Sequence, residues 1–414
     1  MLKEEFTKNR FINSKIPAVV VPARGTNSLG VIRSLGQKDI PVIALDYSRL
    51  TSNLYSRYCK GILCPNPLRN EEKFINFLIE VGIKLKIKSV LFMMDDYYMF
   101  LSTKYQKELS KYFYSNYLSW EVLLSCVDKY RMYNKAIDAG LYIPETYYPK
   151  TIEEVKKIAK KIEYPAIIKP IAKFEYENQN INREYQFVKT YRTKALRAKN
   201  KEELIFLFKD VKKYNFTTII QEEIPGTIDQ IYTIAAYSNK NHKILTSLTA
   251  RKIHQLPSDF GTGTLFESIS LQEIVELISL LIKKIKFYGI SEIEFKLDSR
   301  DKKFKFIEIN CRAPNYIYLT TFTGIDFPYI AYRDLVGDKF SINNQLNEMK
   351  WWDIPRDIIY FIRYRKGDHT GNKLSLRDWF YHHKGKKTYA YFDIRDPLPF
   401  LLLPIQISRI RDRF

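Results

Sequence analysis

Residues that mark metal and redox proteins are scarce in this sequence. Only 4 of its 414 residues are cysteines, and Cys59 and Cys64 are too far apart for a CxxC zinc or redox pair. Its 5 histidines include no HExxH motif, which excludes the common zinc-protease signature. We expect reduced and mostly buried thiols in a cytoplasmic protein, because free thiols persist in reducing compartments.

Long apolar runs and standard phosphate-binding loops are also missing. No stretch approaches the ~18 apolar residues that a membrane-spanning helix needs. The charged N-terminal stretch is not typical of a signal peptide. Residues 24–30, RGTNSLG, lack the spacing of a GxGxxG fingerprint, and no Walker A sequence ending in GK[ST] occurs. We keep residues 24–30 as a hypothetical substrate-contact loop.

Positive charge, in contrast, is abundant. The chain has 67 lysines and arginines against 46 acidic residues, a formal net charge of +21. Such an excess favours phosphates, nucleic acid or an anionic membrane as partners, although a general bias towards lysine would give the same number. A basic nucleic-acid-binding protein is the non-enzyme alternative. We expect no nucleic-acid partner, because the sequence has no RNP-like motif, zinc finger or helix-turn-helix signal.

The first 125 residues predict a doubly wound α/β domain. Short apolar runs at 18–21, 42–45 and 89–94 are typical of strands buried on both faces of a parallel sheet. Helices are predicted between them, one after Ser28 and one over residues 71–81. This alternation of strand and helix is the pattern of a parallel sheet covered by helices.

From residue 126 onward the pattern favours an α+β arrangement. Three residues that suit helix N-caps each precede a glutamate by three positions, namely Thr151, Asn200 and Ser270. Strands are predicted between these helices at 166–170, 217–224, 231–237, 243–253, 291–298 and 303–310. We therefore divide the chain into an N-terminal domain, a small lobe, a large lobe and a C-terminal extension, at 1–125, 126–225, 226–340 and 341–414.

The C-terminal extension is basic and aromatic. It ends in the proline-punctuated apolar run PLPFLLLPIQISRIRDRF, which contains Arg409, Arg411 and Arg413. Apolar residues beside arginines suit the surface of an anionic membrane, so peripheral membrane contact is one hypothesis for this tail. A tail packed on the body of the protein is the alternative.

The strongest chemical pattern is an acidic hairpin at residues 291–312. Side chains alternate along a strand, so Glu292 and Glu294 share a face, and on the return strand Glu308 and Asn310 share a face with Ile307 and Ile309 behind them. Antiparallel pairing would make Glu294 and Glu308 cross-strand neighbours. Two close carboxylates with an amide oxygen suit Mg²⁺, although a solvent-facing strand with ordinary charges is the alternative.

Basic residues and a strand end suggest a phosphate and base site. Lys169 ends an apolar strand, where its ammonium group could meet phosphate oxygens in a cleft. The segment QEEIPG at 221–226 could present backbone groups to a nucleobase. Residues 250–264 join a basic pair to a flexible glycine loop, Gly261-Thr-Gly263, which suits an anionic intermediate and a closing cover. Each segment alone would also fit an ordinary strand end or charged hairpin.

Taken in order along residues 15–340, these segments resemble the ATP-grasp superfamily. The order is an α/β domain, Asp128-Lys129 opening a helix, AGLYIPET, the IIKP lysine, QEEIPG, the basic glycine loop, and the EF…FIEINCR hairpin. The sequence is similar to the carboxylate–amine ligases that include D-aspartate ligase and proteins from cell-surface polysaccharide clusters. The implied fold is a doubly wound α/β domain, a two-lobed ATP-grasp fold and a C-terminal extension.

The resemblance implies a role for each matching residue. The nucleotide-binding residues would be Lys169, Lys194, Glu222, Glu223, Ile224 and Asp229. The Mg²⁺ ligands would be Glu294, Glu308 and Asn310. The catalytic cations would be Arg312, Arg251 and Lys252. Many relatives carry a glycine-rich loop after the first lysine, whereas residues 172–194 here contain no glycine.

The implied activity is ATP-dependent amide formation through an acyl phosphate. The expected cofactors are ATP and Mg²⁺, with Mn²⁺ as an alternative metal. The expected substrates are a small-molecule or lipid-linked carboxylate and an amine, in cell-envelope biosynthesis. The oligomeric state stays open, with a dimer as one candidate. An ATP-grasp carboxylase or a synthetase of the purine-pathway kind is the alternative enzyme.

Overall fold

Three β-sheets organise the chain in the computed structural model, which describes residues 15–173, 183–340, 342, 348–367 and 373–404. The first sheet has five parallel strands in the order β3-β2-β1-β4-β5. Its strands are β1 Ala18–Val21, β2 Val42–Asp46, β3 Lys60–Leu63, β4 Ser89–Met93 and β5 Phe113–Tyr114. Its helices are α1 Gly25–Gly36, α2 Glu71–Leu85, α3 Asp96–Lys104 and α4 Gln106–Leu109. A 3₁₀ turn, Ser52–Tyr55, precedes β3.

The predicted parallel sheet is present, and β1, β2 and β4 are buried throughout because helices cover both faces. The first helix begins at Gly25, earlier than predicted. The loop before it does not display free polar groups. Arg24 binds Asp46 through Nη2 and Oδ1 at 2.5 Å and donates to the Tyr47 hydroxyl at 2.6 Å. Asp46 therefore makes an ion pair within the N-terminal domain. Contact of residues 24–30 with a substrate stays a prediction.

The second sheet has four antiparallel strands in the order β6-β9-β7-β8. The strands are β6 Thr146–Tyr147, β7 Ala166–Pro170, β8 Leu196–Ala198 and β9 Thr218–Glu222. The helices of this part are α5 Trp120–Val127, α6 Lys129–Asp138, α7 Ile152–Ile158, α8 Arg183–Tyr191 and α9 Lys201–Lys213. Two predicted N-caps are confirmed, since Thr151 accepts from the Glu154 amide and Asn200 from the Glu203 amide.

The third sheet has seven strands in the order β14-β13-β10-β11-β12-β15-β16. They are β10 Ile231–Ser238, β11 Ile244–Leu256, β12 Thr262–Ile269, β13 Gly289–Leu297, β14 Phe304–Asn310, β15 Lys350–Trp352 and β16 Lys387–Tyr389. The remaining helices are α10 Gln272–Ile285, α11 Ile317–Phe322, α12 Phe327–Val336, α13 Ile354–Tyr364, α14 Leu376–His382 and α15 Leu398–Leu401, with a 3₁₀ turn at Ile228–Gln230. The predicted cap at Ser270 is wrong, because Leu271 is the N-cap of α10 and makes no side-chain cap bond.

The predicted flexible glycine loop is tightly packed. Gly263 belongs to β12, and a Cβ there would lie 2.1 Å from the Phe266 ring. A Cβ on Gly261 would lie 1.9 Å from the Pro257 carbonyl oxygen. Both positions therefore need glycine for close packing, which corrects the expectation that they form a flexible loop.

The region after residue 341 is part of the main body. β15 pairs antiparallel with β12, and β16 pairs parallel with β15, so both strands extend the third sheet. Arg33 of α1 is completely buried and binds Asp396 at 2.9 Å, which ties this region to the N-terminal domain. The tail residues Arg409, Arg411 and Arg413 lie outside the described residues.

All four cysteines are free, and Cys64, Cys126 and Cys311 are buried, as predicted. Burial raises the pKa of the Cys64 thiol to about 12, with the Asp46 carboxylate adding to the shift. Within the described residues, we find no helix with both the length and the apolar character needed to cross a bilayer.

Candidate active site

A cleft of about 1370 Å³ lies between the second and third sheets. Nine of the twelve predicted site residues line it, namely Lys169, Lys194, Glu222, Glu223, Ile224, Asp229, Arg251, Glu294 and Glu308. Two of the other three adjoin it through contacts, since Lys252 binds Glu294 and Asn310 binds Glu308. Arg312 lies beside Glu292 and Asp96, which do not line the cleft. The structure therefore brings residues from distant parts of the sequence into one place.

The acidic hairpin forms one wall of the cleft. Glu294 is directly opposite Glu308 in the β13–β14 register, which confirms the predicted cross-strand pair. A bulge follows, since Phe295 pairs with Phe306 and Ile307 is the extra residue. Ile307 therefore lines the cleft while Phe306 is buried, which corrects the expectation that Ile307 lies behind the acidic face.

A lysine and an amide contact the paired glutamates of the hairpin. Lys252 Nζ lies 2.9 Å from Glu294 Oε2. Asn310 Nδ2 donates to Glu308 Oε1 at 3.2 Å, and Asn310 Oδ1 accepts from Lys173 Nζ at 2.6 Å. The amide of Asn310 therefore presents its nitrogen to Glu308 and its oxygen to the ammonium group of Lys173.

The electrostatics keep Glu308 ionised. Burial alone would raise its pKa, but the positive charges of Lys173, Lys194, Lys129 and Lys169 together hold the pKa of Glu308 at about 2. Glu308 is therefore a permanent carboxylate at neutral pH and can act as a hard oxygen ligand.

Two of the lysines that act on Glu308 have lowered pKa values. Burial lowers the pKa of Lys169 to about 8, although Glu308 and Glu294 act in the opposite direction. Burial likewise lowers the pKa of Lys129 to about 8 against the pull of Glu184. Both ammonium groups are mainly charged at neutral pH, and a polyphosphate in the cleft would stabilise that charged form.

The predicted base-binding segment, residues 221–226, is held by ion pairs. The Glu222 carboxylate accepts from the Glu145 amide at 2.8 Å and from Arg300 Nη2 at 2.5 Å. Glu223 binds Arg197 through two hydrogen bonds of 2.5 and 2.6 Å. These side chains are engaged within the protein, so any base contact here depends on the backbone and on Ile224, which is 4% exposed.

Three further predicted residues have local partners. Asp229 is exposed and accepts a hydrogen bond from the Thr227 hydroxyl. Arg251 binds Glu267 at 2.8 Å. Arg251 and Lys252 therefore contact different glutamates and do not form a joint pair. Arg312 lies 3.8 Å from both the Asp96 and the Glu292 carboxylates, and its Nη1 donates to the Ala313 carbonyl oxygen at 3.2 Å.

Sequence reasoning missed a link to the N-terminal domain. Lys173 Nζ lies 2.7 Å from Asp96 Oδ2, and so connects Asp96 to Asn310. A signal was available, because Asp95 and Asp96 follow β4 at the carboxyl edge of the parallel sheet, where such folds place ligands. Part of the glycine-free stretch after Lys173, residues 174–182, lies outside the described residues.

Comparison with known proteins identifies a family and a relative with similar sequences. A family described as carbamoyl-phosphate synthase L chain, ATP binding domain, matches residues 128–342. D-aspartate ligase from Enterococcus faecium (strain Aus0004) is 22% identical over 292 residues, which cover 67% of this chain and 67% of that protein.

Two solved structures share the fold. One is the biotin carboxylase domain of Hydrogenobacter thermophilus 2-oxoglutarate carboxylase in complex with MgADP, ADP and bicarbonate, with a TM-score of 0.59 at 17% identity, covering 80% of this chain and 72% of that chain. The other is L-amino acid ligase from Bacillus licheniformis, with a TM-score of 0.57 at 14% identity, covering 78% and 74%. The predicted fold class is confirmed.

Proposed function

Because the chain belongs to the family of carbamoyl-phosphate synthase L-chain ATP-binding domains, and with it to the predicted ATP-grasp superfamily, we propose that it is a carboxylate–amine ligase. It is an ATP-dependent enzyme, as the sequence predicted. The observation that carries the proposal is the pairing of Glu294 with Glu308 in a cleft that Lys169 also lines.

The residues of this chain fit a magnesium ion. Glu308 stays ionised and Glu294 lies opposite it. Asn310 would have to exchange its oxygen from Lys173 to the ion, because its amide nitrogen now faces Glu308. Hard oxygen ligands of this kind suit Mg²⁺, and Mn²⁺ is the alternative metal. When bound, the ion neutralises charge on the phosphate oxygens that the carboxylate substrate must approach. The MgADP of the Hydrogenobacter structure supports this assignment.

The cations of the cleft would hold the phosphates and the activated acid. Three lysines lower the pKa of Glu308 by their positive charge and would contact phosphate oxygens, namely Lys169, Lys129 and Lys194. Arg312 lies 3.8 Å from two carboxylates, longer than a direct hydrogen bond, and its guanidinium would stabilise the oxyanion that forms when the acyl group is attacked. Activation as an acyl phosphate, followed by amine attack, is the chemistry that this set of charges suits.

The sequence relative D-aspartate ligase favours amine ligation, although the similar solved structures include both an amino acid ligase and biotin carboxylases. D-aspartate ligase and L-amino acid ligase are similar to this chain over most of its length, so an amino acid is the first candidate substrate. The Hydrogenobacter structure is a complex with bicarbonate, so the alternative to test is a carboxylase that uses bicarbonate. ADP release that depends on bicarbonate, and not on an amine, would favour that alternative.

A screen of ADP release over amino acids, other carboxylates and envelope precursors would identify the substrate pair. Lys169→Ala and Glu308→Gln should abolish amine-dependent ADP release while leaving the fold intact. Lys209→Ala and Glu273→Gln, which change exposed helical residues, are matched controls and should behave like wild type. Wild-type turnover in both site variants would refute the proposed site.

We also propose peripheral contact with the inner face of the membrane, as would suit a lipid-linked substrate in cell-envelope synthesis. Helix α13 leaves Ile358, Ile359 and Ile362 exposed by 41%, 41% and 59%, and the exposed Arg363 follows them. Apolar side chains beside arginine suit an anionic surface. Flotation with anionic vesicles should retain the protein, and Ile359→Glu should weaken retention. No flotation of wild type would remove the idea.

The remaining parts of the proposal concern assembly and compartment. A dimer is the proposed oligomer, which light scattering would test by the mass in solution. A cytoplasmic location is proposed because the four thiols are free. Fractionation that recovers the protein outside the cytoplasm would contradict it.

A further inference from the structure

Two histidines and an aspartate form a buried cluster that includes none of the residues assigned to the ligase site. His254 belongs to β11, Asp357 to α13, and His383 directly follows α14. Their side chains are 1%, 0% and 6% exposed. One ring nitrogen of each histidine and one carboxylate oxygen lie within 4.8 Å of one another. The cluster therefore joins the third sheet to two helices of the C-terminal region.

The Asp357 carboxylate is buried and has no lysine or arginine partner among the described residues. Its ion-pair contacts are His254 Nδ1, 2.8 Å from Oδ1, and His383 Nε2, 2.9 Å from Oδ2. A histidine supplies charge only when it is protonated. Buried carboxylates are normally paired with a cation or bound to a metal ion. The cluster therefore needs one positive charge, either on a ring or between the rings and the carboxylate.

The contacts of His383 disfavour a proton on its Nε2. Nδ1 lies 2.6 Å from the Trp379 carbonyl oxygen, and because a carbonyl only accepts, Nδ1 carries the proton of the neutral ring. Nε2 is buried and has no hydrogen-bond partner in the part of the chain that the structure describes. It is close to Asp357 Oδ2 but is not aligned as an N–H donor to it. Its lone pair therefore lies beside a carboxylate, an arrangement that a shared cation would stabilise.

The lone pairs of Asp357 lead to the same conclusion. Oδ2 accepts from Trp352 Nε1 at 3.2 Å and from Trp379 Nε1 at 2.9 Å. A carboxylate oxygen offers about two lone pairs, so an N–H of His383 would be one donor too many on Oδ2. Oδ1 accepts from Thr264 Oγ1 at 2.8 Å and keeps a lone pair that faces the histidine of β11. That lone pair is the position that a metal ion can take.

The far sides of both rings are held in the way that metal ligands require. A metal-bound histidine usually donates its other N–H to a protein acceptor, which fixes the tautomer and the orientation of the ring. His383 does so through the Trp379 carbonyl oxygen. His254 Nε2 lies 2.8 Å from His382 Nδ1, which can accept its N–H and leave the lone pair on Nδ1 of His254.

We propose that His254 Nδ1, Asp357 Oδ1 and His383 Nε2 bind a zinc ion, with water as the fourth ligand. Two imidazole nitrogens and a carboxylate oxygen form a ligand set that Zn²⁺ favours. With bonds of about 2.0–2.1 Å, the ligand atoms of a tetrahedral zinc site lie about 3.3 Å apart. The 2.8 Å between His254 Nδ1 and Asp357 Oδ1 is close to this spacing, and small side-chain rotations can supply the difference.

The ion would fix one wall of the cleft. It would link β11 to α13 and α14, the helices that bring Tyr360, Tyr381 and His382 to the cleft. The ligands come from three distant parts of the sequence, so no spacing motif marks the site. The site stands independently of the ligase chemistry, because none of its ligands belongs to the proposed magnesium or phosphate sites.

The metal content of the full chain tests this site. Protein without a polyhistidine tag should carry about one zinc per chain after gel filtration, measured by inductively coupled plasma mass spectrometry. After removal of the metal with a chelator, Co²⁺ should produce the intense visible absorption bands of a four-coordinate site. Zn²⁺ should abolish these bands and raise the temperature of thermal unfolding, because it binds the folded state.

Four variants locate the ion. His383→Gln loses a ligand and should bind Zn²⁺ at least about 100-fold more weakly than wild type. Thr264→Val keeps the side-chain shape and removes only a donor to the Asp357 carboxylate, so it should weaken Zn²⁺ binding by about 10–100-fold. His242→Gln is the matched control, because that histidine contacts the Phe287 carbonyl oxygen outside the cluster. Glu308→Gln should also keep its zinc, which separates this ion from the proposed magnesium site.

Three results would overturn the proposal. The first is wild type that contains no zinc and whose metal-free form shows neither cobalt bands nor a change in unfolding temperature with Zn²⁺. The cluster would then be a hydrogen-bonded group with a protonated ring. The second is zinc that stays at about one per chain in both His383→Gln and His254→Gln, which would place the ion elsewhere. If these two variants do not fold, Thr264→Val decides, and an affinity equal to that of wild type would contradict the ligand set.

Discussion

The buried ion pair between Arg33 and Asp396 gives a sharp test of how the C-terminal region is attached. Arg33 Nε lies 2.9 Å from Asp396 Oδ2, and Nη2 donates to the carbonyl oxygens of Asp396 and Tyr391 at 2.9 and 2.7 Å. Asp396 also accepts from Ser56 Oγ at 2.8 Å and from the Arg57 amide at 2.9 Å. Arg33 and Asp396 have side chains that are 0% and 1% exposed.

Arg33→Met should therefore be costly. It leaves the Asp396 carboxylate buried without its cation, which typically costs about 3–5 kcal/mol of unfolding free energy. In the double variant Arg33→Met/Asp396→Asn the buried charge is gone. The new amide can accept from only one of Ser56 and the Arg57 amide through its oxygen, because these donors bind different oxygens of Asp396, and its nitrogen can donate to the Ser56 hydroxyl. The double variant should recover about 2 kcal/mol of that loss, so the two substitutions should be strongly non-additive.

Urea unfolding followed by tryptophan fluorescence is a suitable assay. Three of the 4 tryptophans, Trp351, Trp352 and Trp379, lie in the C-terminal region, so the signal reports on its attachment. An Arg33→Met protein within about 1 kcal/mol of wild type would refute the reasoning, because a destabilisation that small does not fit the loss of a buried charge partner. A double variant whose destabilisation equals the sum of the single values would refute it equally.

Further predictions concern the hairpin, the reaction and the thiols. Because the pKa of Glu308 is lowered, its carboxylate stabilises the folded state at pH values above 4.5, the usual pKa of a glutamate. This contribution, on the order of 3 kcal/mol, is lost as the pH falls towards about 2. Acid titration of unfolding should thus be shallower for Glu308→Gln than for wild type, and parallel curves would contradict this. Arg312→Met should lower kcat/KM by about 10²–10³-fold, corresponding to roughly 3–4 kcal/mol of transition-state stabilisation, and a change of less than about threefold would exclude a role at the oxyanion. Cys64, Cys126 and Cys311 should react with a thiol reagent far more slowly in native protein than in urea, because they are buried. Rapid modification of three or more thiols in native protein would show that the core is open.

Local patterns predicted most of the strands and the acidic pair. The runs at 18–21 and 89–94 were recognisable because strands buried on both faces are continuously apolar. The Glu294–Glu308 pair followed from side-chain alternation in two strands joined by a short turn.

Features that depend on distant contacts escaped prediction. The bulge at Ile307 reverses the alternation, and nothing in the hairpin sequence marks where it occurs. The contact of Lys173 with Asp96 joins residues far apart in the chain, so no spacing rule could find it. β15 and β16 contain three residues each, too few for a periodic pattern, and the region after residue 341 therefore looked like a separate tail.

The position of β15 and β16 has a consequence for biosynthesis. A chain emerging from the ribosome folds its N-terminal parts first, and the strands that cover the β12 edge are among the last to appear. Until residues 350–389 have been translated, that edge presents unpaired backbone groups on which a second nascent chain could dock. His382, which lines the cleft, arrives in the same late segment. Premature termination in this segment would therefore yield an aggregation-prone fragment with an incomplete cleft wall.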